Sequence, residues 1–180
     1  MIVNNIYYIG ILKEGIYMKI NIEDIDLNYI CEGKGKDVLI LHGWGANINT
    51  VLSIVNLLKP DFKVYALDLP GFGHSTKPTE VFGSEDYARV VKKFIDKMDI
   101  EEVILIGHSF GGKISILLGI HCPEIVDKIV LIDSAGLIPK RSLKYYLKVY
   151  SFKTFKFLYK TFFFWIENQE KMEKFYKKFG

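Results

Sequence analysis

Gly107-His108-Ser109-Phe110-Gly111-Gly112-Lys113 follows the apolar run Val103–Ile106 and leads into Ile114–Leu118, and this junction decides the fold. A short buried strand enters a glycine-rich turn and leaves as a helix reaching about His121. Gly107-His-Ser-Phe-Gly111 matches G-x-S-x-G. Between a strand and a helix, that turn is tight enough to lift the serine hydroxyl above the sheet. The glycines are needed because side chains there would collide with neighbouring backbone. The helix N-terminus beneath the serine offers N–H donors and the positive end of a dipole. The same residues nearly match a phosphate loop, with Gly107, Gly112 and Lys113 as G-x-x-x-x-G-K and Ile129–Asp133 as the acidic strand. Ile114, however, stands where the magnesium-binding Ser or Thr belongs. Isoleucine does not coordinate a cation, so the nucleotide-binding reading falls behind.

Working outward, Val38–Leu41 is a continuous apolar run that ends in His42-Gly43-Trp44-Gly45. Acyl transfer needs two donors aimed at a developing oxyanion. The backbone N–H groups of Trp44 and Phe110 are the natural pair, and a phosphate loop has no use for the first of them. Phe62–Leu67 is a further strand and runs into Asp68-Leu-Pro-Gly-Phe-Gly-His-Ser75. Lys19–Ile22 and Ile25–Ile30 alternate apolar and polar residues around Glu23-Asp24, which predicts an antiparallel hairpin. Helices are expected over about Thr50–Leu58, before Pro60, and from a Ser84 cap to about Met98, with Glu85 and Asp86 in its first turn. Ile129–Ile132 is the last clear strand. The alternation predicts an α/β fold: a mainly parallel sheet, helices on both faces, an N-terminal antiparallel hairpin and a C-terminal helical segment. Ligands bind beyond the carboxyl ends of such strands, where the loops starting at His42, Asp68 and Gly107 all lie.

The 180 residues are 49% hydrophobic and 25% charged, which fits one globular domain of ordinary size and excludes a disordered or collagen-like chain. No apolar run approaches the roughly 18 residues of a membrane-spanning helix. The opening MIVNNIYYIGIL lacks the basic start and cleavage site of a secretory signal. Cys31 and Cys122 fit free thiols, and a cytoplasmic protein is expected. The net charge of +3 hides an asymmetry: residues 136–180 carry 11 Lys+Arg against 3 Glu and 14 of the 26 aromatics. Lys outnumbers Arg 22 to 2, which argues against nucleic-acid binding. Expected units are 18–135 as core and 136–180 as a basic, aromatic-rich segment. The purine-rich codons of Lys13-Glu14-Gly15 precede Met18 as a ribosome-binding site would. Residues 1–17 are therefore expected to be an extension or a misassigned start.

His42-Gly-Trp-Gly45, Asp68-Leu-Pro-Gly-Phe-Gly-His-Ser75 and Gly107-His-Ser-Phe-Gly-Gly112, in this order, resemble the α/β-hydrolase family over about residues 19–150. Leu131-Ile-Asp-Ser-Ala-Gly136 is similar to members in which a helical cap follows. The resemblance implies Ser109 as nucleophile, Trp44 and Phe110 as backbone oxyanion-hole donors, and His108 lining the pocket. It implies a small ester-like substrate, an acyl-enzyme and no metal or organic cofactor; the aromatics of the tail suggest an apolar substrate, or are simply cap core. His42 is expected to be structural, His74 and Ser75 to shape their loop, and His121 to sit at a helix end. The family order is Ser, then Asp or Glu, then His. After Ser109 the sequence holds only His121, about 18 Å along the same helix; Asp133 is a weak candidate acid. The acid and histidine are thus expected from later strands, and this chain alone is expected to be truncated and impaired. Apolar residues Leu143, Leu147, Tyr150, Leu158, Phe162 and Ile166 predict an amphipathic helix or helix pair, which resembles the start of a cap and would favour self-association if left uncovered. The alternatives are a non-catalytic remnant, an interaction module, or a tail that binds an anionic membrane surface.

Overall fold

A computed structural model describes residues 6–12, 15–137 and 142–162. Seven strands form one sheet: β1 (Ile6–Leu12), β2 (Gly15–Ile22), β3 (Ile25–Glu32), β4 (Asp37–Leu41), β5 (Lys63–Leu67), β6 (Val103–His108) and β7 (Val126–Ile132). Their order is β1-β2-β3-β5-β4-β6-β7. The first three strands and the β3–β5 pair are antiparallel, whereas β5, β4, β6 and β7 run parallel. Glu23 and Asp24 turn the β2–β3 hairpin with φ of 51° and 64°, the left-handed pair that matches strand twist. β2 begins before Met18, and its partner β1 lies wholly within residues 1–17.

Both sheet faces are covered at β4 and β6, so these central parallel strands read as apolar runs, whereas β7 leaves Ile129, Val130 and Ile132 exposed. On one face Leu39, Leu41, Tyr65, Leu67 and Leu105 pack under α2 (Ser84–Lys97) and α3 (Phe110–His121). On the other, Val38, Ile40, Val64, Ala66 and Ile106 pack under a 3-10 turn (Ile48–Val51) and α1 (Leu52–Leu58). The expected Thr50 start is thereby replaced by an earlier 3-10 turn, because the Asn47 side chain accepts from the Asn49 N–H and caps there. Gly83, not Ser84, caps α2, and its N–H donates to the Asp86 carboxylate at 2.9 Å. A carboxylate at the third helical position satisfies that N–H from inside the first turn, so the serine moves into the helix.

The chain divides into two compact units, residues 1–137 and 138–180. Within the second unit, α4 spans Leu143–Phe162. Ile166 of the expected apolar stripe lies outside the described residues. No helix among the described residues is long and apolar enough to cross a membrane.

Candidate active site

The site lies beyond the carboxyl ends of β4, β5 and β6, where apolar strands give way to the three loops singled out above. Ser109 links β6 to α3 with φ 50° and ψ −109°. That is a conformation an L-residue adopts only when its surroundings enforce it. Its N–H donates to the Ile132 carbonyl at 3.0 Å, and its own carbonyl accepts from Gly112, Lys113 and Ala135. The end of β7 and the start of α3 therefore hold the turn from two sides. Ile114, the residue that argues against a phosphate loop, is fully buried in the core.

Strained backbone costs about 1–3 kcal/mol, and an added glycine returns ~0.5–1 kcal/mol of that as unfolded-chain entropy. Ser109→Gly is thus expected to raise stability by about 1 kcal/mol in urea unfolding, with Ser109→Ala near neutral. A lower midpoint for the glycine variant would contradict the strain.

The His42 loop packs directly on this turn. A Cβ added to Gly43 would lie 3.0 Å from His108 Nδ1 and 3.3 Å from Ser109 Cβ. Half-buried His108 thus lies against the loop carrying Trp44. His42 is fully buried. Its Nε2 accepts from the Leu69 N–H at 3.0 Å, so the proton sits on Nδ1 and donates to the Gly43 carbonyl at 2.8 Å. Burial holds its pKa below the ordinary histidine value, and a charged ring would turn an N–H toward the Leu69 N–H. His42 is accordingly a neutral strut, as its sequence context implied.

Rings surround the two candidate donors. The Trp44 indole, 65% exposed, stands edge-on to Phe72 at 4.9 Å and to Phe110 at 5.2 Å. Tyr87 of α2 meets Phe110 edge-on at 5.1 Å. Its phenol pKa is raised by burial, which keeps it neutral. Phe72 and Tyr87 were missed from sequence. Asp68 was missed too. Its carboxylate is buried and accepts from the Ile48 N–H (2.7 Å), the Asn28 side-chain amide (2.8 Å) and the His74 N–H (2.8 Å).

The other titratable candidates lie elsewhere or stand apart. His121 ends α3 and pairs with Glu85 at 3.1 Å. His74 is exposed and edge-on to Tyr17, while Ser75 bridges β3 and its own loop through the Asn28 N–H and the Asp68 carbonyl. Asp133 follows β7, exposed, with φ 44°. Among the described residues the Ser109 hydroxyl forms no hydrogen bond to a histidine or carboxylate, and no group of three or more His, Cys, Asp or Glu is placed to hold a metal.

A family model for the alpha/beta hydrolase fold matches residues 37–173. Pimeloyl-(acyl-carrier protein) methyl ester esterase of Vibrio vulnificus is 32% identical over 110 residues, covering 61% of this chain and 41% of the esterase. The uncharacterized hydrolase YugF of Bacillus subtilis is 32% identical over 113 residues, covering 62% of this chain and 41% of its own. Among solved structures, a bacterial membrane phospholipase A superposes with a TM-score of 0.67 at 32% identity, covering 70% of this chain and 42% of that one. The chain spans less than half the length of these relatives.

Proposed function

The chain belongs to the α/β-hydrolase fold family, and on that premise we propose that Ser109 is the nucleophile of a serine hydrolase cleaving an ester-like carbonyl compound. The observation that carries this reading is the strained Ser109 backbone at a strand–turn–helix junction, with the Gly43-Trp44 loop packed against it. The Ser109 oxygen attacks the carbonyl carbon while its proton passes to a general base. The oxyanion accepts hydrogen bonds from the Trp44 and Phe110 N–H groups. Collapse expels the alcohol, which takes the proton, and leaves an acyl-serine; water then attacks in the same manner and frees the acid. No step calls for a metal or organic cofactor.

The rings of Trp44, Phe72, Tyr87 and Phe110 support a small substrate with an apolar acyl or ring-bearing part. In the same reading, α4 begins a cap. Neither His42, a buried strut, nor His121, engaged with Glu85, is placed to serve as that base. A competing reading, a catalytically silent relative, draws on the same Ser109 hydroxyl, which meets no base among the described residues.

A fluorophosphonate probe separates the two. Labelling is expected on Ser109 alone, slow by itself and at least tenfold faster with added imidazole, which serves as an external base. Peptide mass mapping locates the adduct. No labelling even with imidazole, or undiminished labelling of Ser109→Ala, would favour the silent relative.

A further inference from the structure

Among the described residues no cation pairs with the Asp68 carboxylate, and a carboxylate so placed is costly to bury, yet Asp68 is 1% exposed. What offsets the cost is a set of N–H donors drawn from three separate segments. Ile48 belongs to the end of the His42 loop, His74 to the loop after β5, and Asn28 to β3. Gly73 admits the arrangement: a Cβ there would stand 2.1 Å from Asp68 Oδ2.

The next residue completes a pair of anchors. The Leu69 N–H donates to His42 Nε2, and His42 Nδ1–H reaches the Gly43 carbonyl. The start of the Trp44 loop is therefore held by Leu69 through His42, and its end by Asp68 through the Ile48 N–H. Between the anchors the chain makes one turn, closed by the Ala46 N–H on the Gly43 carbonyl at 3.1 Å, with Gly45 at φ 72°. Trp44 sits inside that turn. Trp44 and Gly45 are exposed, and beyond these hydrogen bonds the loop is held by the Trp44 ring contacts with Phe72 and Phe110 and by Gly43 against His108 and Ser109.

We propose that Asp68 is a positioning residue: together with Leu69 it clamps both ends of the Trp44 loop and so fixes where the Trp44 N–H points. The clamp rests on the hydrolase reading only for its purpose. Its existence is independent of that reading. Charge strengthens it, since hydrogen bonds to an ionised acceptor are roughly twice as strong as neutral ones.

Asp68→Asn keeps the shape and breaks the pattern. Every neighbour of the carboxylate is a donor, so one donor must face the new NH2 group. The orientation that retains two bonds, to Asn28 and His74, turns the NH2 on the Ile48 N–H. Hydrogen–deuterium exchange of the 180-residue protein is expected to quicken at least tenfold over residues 43–48, with β4 and β6 unchanged. Unchanged exchange in the loop, or equal acceleration in β4 and β6, overturns the proposal.

If that variant does not fold, Ile48→Pro against Ile48→Ala carries the test. Both lose the buried side chain, but only proline loses the N–H. Ile48 is the first residue of its 3-10 turn, where proline fits, and Asn47 before it is extended at φ −156° and ψ −178°. Loop exchange at least tenfold faster in the proline variant supports the clamp; equal exchange overturns it. A loosened loop that leaves Ser109 labelling unchanged would count against the hydrolase reading, not against the clamp.

Discussion

Gly111→Ala is expected to destabilise the protein by roughly 3 kcal/mol or more, the upper range for overpacking a rigid site. The added methyl would stand 2.2 Å from the Leu41 carbonyl oxygen and 2.7 Å from that of His42. Both obstacles are backbone, so no rotamer change relieves them. Either α3 withdraws from the end of β4 or the β4 carbonyls tilt out of the sheet. Withdrawal carries Phe110 away from Trp44, so labelling of Ser109 should fall with stability. Gly45→Ala is the control. Gly45 has nothing within 4 Å of its would-be Cβ but holds φ at 72°, so its penalty is the roughly 1–2 kcal/mol of a left-handed L-residue. Urea midpoints of the two variants distinguish a steric glycine from a conformational one. Similar midpoints would refute the close packing of α3 on β4.

These two glycines show what a sequence displays and what it conceals. The G-x-S-x-G spacing marks Gly107 and Gly111 because strand, turn and helix are contiguous, so the constraint is local and leaves a pattern. The central parallel strands were legible for the same reason: Val38–Leu41 and Val103–Ile106 are apolar throughout, as strands covered on both faces must be, whereas β1 was not expected. Asp68 left no comparable trace as a clamp. Two of its partners are main-chain N–H groups at Ile48 and His74, and a main-chain donor carries no side-chain signature. Tyr87 was hidden differently. It is one of several buried residues along α2, and only the fold reveals that Phe110 lies beside it. The cap of α2 falls on Gly83 instead of Ser84 because the Asp86 carboxylate takes the Gly83 N–H, a choice between neighbours that residue preferences leave open.

Phe94→Ala creates a cavity and is expected to cost about 3–5 kcal/mol. Phe94 is fully buried where α2 crosses the sheet, with its ring edge-on to Tyr29 at 5.2 Å and Tyr65 at 6.0 Å. Those two tyrosines stand on β3 and β5, the strands that meet antiparallel at Tyr29 and Leu67. One side chain therefore joins helix, hairpin and parallel sheet. Removing it leaves a void lined by two rigid rings and the sheet, which collapse poorly, so the transfer and cavity costs both apply. Against a total stability of about 5–15 kcal/mol, the loss is a large fraction. With a urea slope of about 2 kcal/mol per molar, the midpoint should fall by roughly 2 M. Phe94→Leu refills much of the volume and should retain more than half of the lost stability. The effect reaches the site as well: Tyr87 lies two turns earlier on the same buried face of α2 and backs Phe110. A shift of α2 would loosen the wall beside Ser109 before the sheet itself opens. A midpoint change under about 0.5 M for Phe94→Ala would mean that α2 is held by its other buried residues, and that the ring contacts merely accompany the packing.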